Sequence, residues 1–272
     1  MNSTPKPDTF VANDRASLPD IEHRFGNTAG VSVVVPAMNE EQNLAHVLPR
    51  IPGWVAEVIL VDGNSTDRTV EVARSLLPDI VVVGQDRPGK GAALRAGFKA
   101  ARGDIIVMLD ADGSTDPAEI PAFVGALLSG ADFVKGSRFL QGGGTADMEW
   151  YRKLGNWGFM QLVKWRFGGN FSDLCYGYAA FWRDTLDQFA LDQSDGFEIE
   201  TSMNIQALRS DLRLAEVASF EHLRIHGKSN LRTIPDGWRV LKTIAKMSVQ
   251  PAPRKHVHRA RVATQGTQKA AL

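Results

Sequence analysis

Val31-Ser-Val-Val-Val35 is a β-branched run, and Pro36-Ala-Met-Asn-Glu40 follows it without a break. A short apolar run with little polar alternation is the pattern of a strand buried on both faces. Pro36 has no amide hydrogen for a ladder and is expected to end this strand. Downstream, Glu40 to Arg50 sets Leu44, Val47 and Leu48 at helical spacing. The alternation then repeats. Glu57-Val-Ile-Leu-Val61 reads as the second strand and Asp67 to Leu77 as the second helix, with Val70, Ala73 and Leu77 on one face. Ile80-Val-Val-Val83, Gly91 to Ala101 and Asp104-Ile-Ile-Val-Met-Leu109 read as strand, helix and strand. Continuous apolar strands separated by single helices predict an α/β fold, its mostly parallel sheet covered by helices on both faces. Ligands of such sheets sit beyond the carboxyl ends of the strands, where this sequence collects its polar clusters.

The second half is less regular. Glu149 to Phe167 reads as an aromatic helix, Phe171 to Trp182 as strand, Glu198 to Arg209 as helix and Leu214 to Leu223 as strand. Gly142-Gly-Gly144 marks a flexible stretch, and the boundaries expected are a first half over 31–135 and a second half over 136–232. Residues 233–249 form an amphipathic helix: Trp238, Leu241, Ile244, Ala245 and Val249 share a face, with Arg239, Lys242 and Lys246 beside it. Residues 1–30 read as a disordered leader and 250–272 as a basic, disordered tail.

The 272 residues carry 31 Lys plus Arg and 31 Asp plus Glu, a formal net charge of zero. That balance argues against a general nucleic-acid binder, whose affinity rests on excess positive charge. The single cysteine, Cys175, excludes an intramolecular disulfide and a cysteine-based zinc site. No apolar run is long enough to span a bilayer, and a cytoplasmic setting is expected.

Asp110-Ala-Asp112 follows directly on the strand that ends at Leu109. Two carboxylates two residues apart at a strand end can share one hard divalent cation, Mg2+ or Mn2+, and the phosphates bound to it. An isolated acidic turn would carry little weight. Here Pro36-Ala-Met-Asn-Glu40, Asp62-Gly-Asn-Ser-Thr-Asp67 and Pro88-Gly-Lys-Gly91 stand at the other strand ends. A carboxylate there can accept from a nucleobase N–H or a ribose hydroxyl, and the Gly-Lys-Gly turn admits close backbone approach. Asp67 reads as a helix cap, and Glu40 is equally an ordinary first-turn acid. His222 and His226 have no metal-binding spacing, and Cys175 reads as a small packed hydrophobe. Trp150, Trp157 and Trp165 form a helical stripe, a pattern more often found in a core; exposed, it would suit a lipid.

In this order, Val-Pro-Ala-Met-Asn-Glu40, Val-Asp62-Gly-Asn-Ser-Thr-Asp, Gly-Lys90-Gly, Asp110-Ala-Asp112 and Gly136-Ser-Arg138 resemble family 2 glycosyltransferases of the GT-A fold. Ser172-Asp-Leu-Cys-Tyr-Gly177, Gly196-Phe-Glu-Ile-Glu200 and Arg224-Ile-His-Gly-Lys-Ser-Asn230 extend the likeness to dolichyl- and polyprenyl-phosphate sugar synthases. The resemblance covers about Val31 to Met247 and implies a nucleotide-sugar donor, a divalent metal (Mg2+ or Mn2+) and inversion at the anomeric carbon. It implies that Pro36, Ala37, Met38, Glu40, Val61, Asp62, Lys90 and Ala111 bind the donor. Asp110 and Asp112 would hold the metal, Arg138 and Arg224 would act on phosphate, and Arg152, Lys228 and Ser229 would receive the acceptor phosphate. The chain departs from the family pattern at Gly63, where a second acid is common, at Ser114, often Gln, and at Asn230, often Lys.

Sugar transfer needs stabilisation of a departing diphosphate, which a metal and cationic side chains supply. An anionic lipid phosphate needs positioning rather than a general base, whereas a hydroxyl acceptor needs a carboxylate within reach. Asp173, Asp195, Glu198 and Glu200 are the available carboxylates, each equally explained as a loop or helix-start acid. The leading expectation is a hexosyltransferase working from a UDP- or GDP-sugar to polyprenyl phosphate, peripheral on the cytoplasmic membrane face. The alternative is the same donor with a soluble or glycan hydroxyl acceptor. Nucleotidyl transfer fits less well, because Pro36 to Glu40 is not a Gly-rich basic loop, and a non-catalytic binder would not require Asp110 and Asp112.

Overall fold

The computed structural model describes residues 29–251 apart from 147, 193 and 228–230. Its strands are β1 Val31–Ala37, β2 Glu57–Asp62, β3 Val81–Gly84, β4 Ile105–Met108, β5 Phe133–Ser137, β6 Gly144–Thr145, β7 Ala179–Trp182, β8 Leu214–Ala218 and β9 Phe220–Glu221. Its helices are α1 Leu44–Val47, α2 Thr69–Leu76, α3 Lys90–Ala100, α4 Ile120–Leu128, α5 Trp150–Phe167, α6 Glu198–Arg209 and α7 Thr233–Val249. Seven strands make one sheet in the order β3-β2-β1-β4-β7-β5-β8, and β6 pairs with β9 apart from it. The sheet runs through both expected halves, since β5, β7 and β8 continue it beyond β4.

Alternation along the strands divides the core. Val31, Val33, Val35, Leu60, Ile105 and Val107 face α1, α2 and α4, while Val34, Ile59, Val61, Ile106 and Met108 face α3 and α6. A strand that is apolar at every position is thereby buried on both sides. A third cluster joins α5, α6 and α7 through Val163, Leu174, Ile205, Val240, Ile244 and Met247.

Four expectations are corrected. β1 continues through Pro36 to Ala37, although it lies between β2 and β4. Pairing with β4 stops at Val34, while Pro36 and Ala37 still pair with Val61 and Asp62 of β2. The Ala37 carbonyl accepts from Gly63 on the β2 side, so alternation turns Pro36 toward the side where the ladder has already ended. The missing amide therefore costs no ladder bond. The sheet is mostly parallel, as expected, with β7 antiparallel to both β4 and β5. Second, the strand expected from Phe171 is regular only over Ala179–Trp182. Ser172 instead bonds Glu216, and Asp173 bonds Arg138, so side chains hold this stretch rather than a ladder. Third, the strand expected over Leu214 to Leu223 divides: β8 stays in the large sheet and β9 leaves it for β6. Fourth, the tryptophan stripe is not core: Trp150, Trp157 and Trp165 are all exposed. Among the described residues no helix is long and apolar enough to cross a membrane. Nearly all of the expected leader and basic tail lies outside the described residues.

Candidate active site

The ends of β1 and β2 are lashed together by their own loops. Asn39, at φ 59°, receives the Ser65 hydroxyl oxygen on its amide N–H, and its side-chain oxygen accepts from Thr66 N–H. Glu40 N–H donates to Thr69 Oγ1, and Glu41 exchanges bonds with the Asp67 side chain and the Arg68 backbone. Asp67 also accepts from Thr69 N–H at 2.9 Å, the Asx turn that opens α2. Gly63 packs on Ala37 and Met38, where a Cβ would come within 3.0 Å of the Met38 Cβ. These bonds fix Pro36, Ala37, Met38 and Glu40 beside Val61 and Asp62. Asp62 itself accepts from Ser65 N–H, and Met38 remains exposed.

At the end of β4 each acid of Asp110-Ala111-Asp112 has its own cation. Lys90 Nζ, from the start of α3, lies 2.6 Å from Asp110 Oδ1 and 2.8 Å from Glu200 Oε1 on α6. Arg224 Nη2 lies 3.0 Å from Asp112 Oδ2, and its Nη1 lies 2.9 Å from Glu40 Oε1. Burial works against the Lys90 ammonium, but Asp110 and Glu200 outweigh it and hold the group above the usual lysine range. Burial, with Asp112 and Glu200 near, lifts the Asp110 carboxyl against the pull of Lys90. Gly177 keeps the trio open: a Cβ there would lie 2.7 Å from Lys90 Nζ and 2.9 Å from both Asp110 Oδ2 and Glu200 Oε1. Asp112 is oriented by Ser114, whose N–H and hydroxyl both donate to Oδ1.

Segment 222–225 runs along this turn, with His222 N–H on the Ser114 carbonyl and Ile225 N–H on the Asp112 carbonyl. Buried Asn43 clasps it from the other side. Its amide nitrogen donates to Glu40 Oε2 and to the His226 carbonyl, and its oxygen accepts from His226 N–H. Asn43 and Gly177 shape this constellation without a role assigned from the sequence, and Glu200, one of the four carboxylates considered for a hydroxyl acceptor, is paired with Lys90. Lys90 and Glu200 are 110 residues apart, and Asn43 and His226 are 183 apart, so no local spacing signals either pair. The carboxylates of Asp110 and Asp112 are hard oxygen donors suited to Mg2+ or Mn2+. Among the described residues no group of three or more His, Cys, Asp or Glu side chains could hold a metal.

Other expected residues fall elsewhere. Arg138 does not present a free guanidinium. It is buried, with Nε 2.6 Å from Asp173 Oδ2, Nη1 3.0 Å from both Glu221 oxygens and Nη2 3.1 Å from the Cys175 carbonyl. A phosphate would have to displace Glu221 to reach it. The glycines of Gly89-Lys90-Gly91 serve the protein rather than a ligand: a Cβ on Gly91 would sit 2.0 Å from the Ser194 carbonyl oxygen and one on Gly89 2.1 Å from that of Asp195. The Asp195 carbonyl accepts the Gly91 and Ala92 amides, which closes the α3 N-terminus to an anion. Arg152 lies in the first turn of α5, and Lys228 and Ser229 lie outside the described residues. His222 and His226 are exposed. Lys135, buried on β5, donates to the Tyr176 carbonyl at 2.5 Å, and burial lowers its basicity.

Residues 32–189 match the family model described as glycosyl transferase family 2. The chain belongs to glycosyl transferase family 2. A dolichol-phosphate mannosyltransferase from Pyrococcus furiosus is 32% identical over 214 residues, which cover 74% of this chain and 59% of that protein. An undecaprenyl-phosphate mannosyltransferase from Micrococcus luteus is 33% identical over 198 residues, 69% of this chain and 81% of that one. Among solved structures, glucosyl-3-phosphoglycerate synthase from Mycobacterium tuberculosis, in complex with Mn2+, UDP and phosphoglyceric acid, superposes with a TM-score of 0.66. It is 24% identical, with 86% of this chain and 84% of that chain covered. This likeness gives the sheet its fold name, GT-A, and the family makes the protein a glycosyltransferase.

Proposed function

We propose that this family 2 enzyme transfers a hexosyl group from a UDP- or GDP-sugar to a polyprenyl phosphate, with inversion at the anomeric carbon. The observation that carries the acceptor class is the commitment of the carboxylates around the site. Glu200 is bound to Lys90, Asp173 to Arg138, Asp195 to Arg95 and Arg87, and Glu40 to Arg224. None of these is an unengaged general base, and a phosphate acceptor needs none. The names of the Pyrococcus and Micrococcus relatives point the same way.

In this reading Pro36, Ala37, Met38, Glu40, Val61, Asp62 and Ala111 line the nucleoside and ribose. Asp110 and Asp112 hold Mg2+ or Mn2+, which when bound stabilises charge on the departing diphosphate. Lys90 and Arg224 turn toward that diphosphate, and Arg152, with Lys228 and Ser229, orients the acceptor. A phosphate oxygen attacks the anomeric carbon as the bond to the diphosphate breaks, and no proton need leave the acceptor.

One observation favours a hydroxyl acceptor as the second reading. Glu198 Oε2, at the start of α6, is buried without a hydrogen-bond partner and could accept a proton. A donor screen separates the two: purified protein with Mn2+ is given UDP- and GDP-hexoses and either polyprenyl phosphate in detergent or phosphoglyceric acid. Nucleoside diphosphate release that depends on the lipid phosphate is expected. Release only with the hydroxyl acceptor, abolished by Glu198→Gln, would overturn the proposal.

A further inference from the structure

Two adjoining helices carry most of the large apolar side chains left in solvent. On α5, Trp150, Leu154, Trp157 and Trp165 recur at helical spacing; on α7, Ile234, Trp238 and Val249 do the same. All are more than half exposed, from 56% at Trp238 to 85% at Val249. The stripes lie opposite the sides that pack into the cluster of Val163, Ile205, Val240, Ile244 and Met247. The helices run side by side in the same direction: Tyr151 lies beside Thr233 at one end, and Arg166 donates to the Ser248 carbonyl at the other. Ile244, grouped with Trp238 and Val249 on one face in the sequence reading, is buried, and the exposed apolar surface is shared by α7 and α5.

We propose that α5 and α7 together form a plate that docks on an anionic lipid surface. Charge selects this occupant. Helix α5 contains no Asp or Glu but carries Arg152, Lys153, Lys164 and Arg166. After Asp236, itself buried, the chain has no acid, and Arg239, Lys242 and Lys246 are followed by Arg254, Lys255, Arg259, Arg261 and Lys269. Lys242 Nζ stands 5.6 Å from the Trp238 ring centroid, its charge beside the aromatic body. Tryptophans rimmed by Lys and Arg suit the headgroup level of a bilayer, and each basic residue near an anionic surface adds attraction that salt screens. A second copy docked through the same face would set like charges against one another, because a two-fold contact repeats one patch on both sides. The plate also adjoins the reaction. The segment bearing Arg224 leads into α7 at Thr233, and Arg152 lies beside Trp150 at the start of α5. That bearing on the acceptor rests on the lipid-phosphate reading, while the docking surface itself does not.

The test is flotation of the full chain with vesicles of phosphatidylcholine and phosphatidylglycerol, and with phosphatidylcholine alone. Wild type is expected to float with the anionic vesicles at low salt, to release at high salt, and to shift its tryptophan emission to the blue. The Trp157→Ser/Trp165→Ser/Trp238→Ser variant, with an unchanged thermal unfolding profile, should lose about tenfold or more in vesicle affinity. Lys153→Glu/Lys164→Glu/Lys242→Glu should abolish the preference for anionic lipid. Absence of wild-type binding, or equal binding by the serine variant, overturns the proposal. So does a change of oligomeric state in that variant with vesicle binding intact, which would assign the face to a second copy. Transfer to polyprenyl phosphate in detergent reads the acceptor separately, so failure there with flotation intact refutes the acceptor and not the plate.

Discussion

Replacing Arg224 with Gln should make the protein a better binder of Mn2+ alone and a poorer transferase. Arg224 spans two carboxylates, 3.0 Å from Asp112 and 2.9 Å from Glu40, with its side chain 19% exposed. A metal ion that reaches Asp112 without a nucleotide competes with that resident cation. Unit charges 4 Å apart attract by about 4 kcal/mol at an effective dielectric constant of about 20. Desolvation and partial exposure reduce the net value of such a contact to about 1–2 kcal/mol. A difference of about 1.4 kcal/mol is about a factor of ten, so Arg224→Gln should tighten Mn2+ about tenfold with no nucleotide present. Electron paramagnetic resonance of free Mn2+ measures this directly. With UDP or GDP present the order should reverse, because the variant has lost the cation that faces the diphosphate, and turnover should fall about 100-fold. If the variant binds Mn2+ alone no more tightly than wild type, Arg224 does not compete with the metal and the reasoning fails.

Burial opposes ionisation of Asp173, but the bonds from Arg138 prevail and hold its carboxyl below the usual aspartate range. A depressed folded-state value gives stability that is present above the unfolded value, about 3.9, and is lost as pH falls through the folded one. Asp173→Asn should therefore cost about 3–5 kcal/mol at neutral pH by leaving Arg138 buried and half-paired, and should flatten the acid limb of stability. Urea unfolding at neutral and at acid pH checks both, and a variant as stable as wild type would refute the buried pair. Burial pushes the Cys175 thiol up to about 12. Iodoacetamide should thus label it far more slowly in the native protein at pH 8 than in urea, and equal rates would contradict its packing.

The parts of the fold legible in the sequence were those with local periodicity. β1, β2, β4, α5 and α6 lie within a residue or two of the patterns that announce them, because a doubly buried strand must be apolar throughout and a packed helix must repeat its inner face. Pairing order was not legible. Whether Ala179–Trp182 joins β4 parallel or antiparallel depends on how the chain returns through Phe171 to Tyr178, a stretch held by Glu216 and Arg138 from distant strands. Pro36 misleads for a related reason: a strand end depends on the neighbour's length, which the proline does not encode. At the site, residue identity was legible and commitment was not. Asp110, Asp112, Lys90, Glu40 and Arg224 converge, yet Arg138, as strong a motif member, spends its donors inside the protein. The tryptophan stripe has a perfectly helical period; only burial distinguishes a core from a surface, and period carries no burial.

The charges of the site explain each other. Glu40, Asp110, Asp112 and Glu200 stand around the ends of β1 and β4, where so many carboxylates would repel if left bare. Lys90 and Arg224 each bridge two of them, so every one of the four carboxylates has a cationic partner, although two negative charges remain in excess. A sugar nucleotide with its divalent ion is itself nearly neutral, and its two halves have opposite sign. Under the proposed function Asp110 and Asp112 would exchange a cationic side chain for the metal, while Lys90 and Arg224 would exchange a carboxylate for the diphosphate. No charge then loses a partner at any stage, which avoids the penalty of a buried, unpaired ion. The same exchange gives a cation free to move only once the donor has arrived with its metal. Under the two proposals together, Arg224, on the segment that leads to α7, would couple donor arrival to the helix pair proposed to dock on lipid.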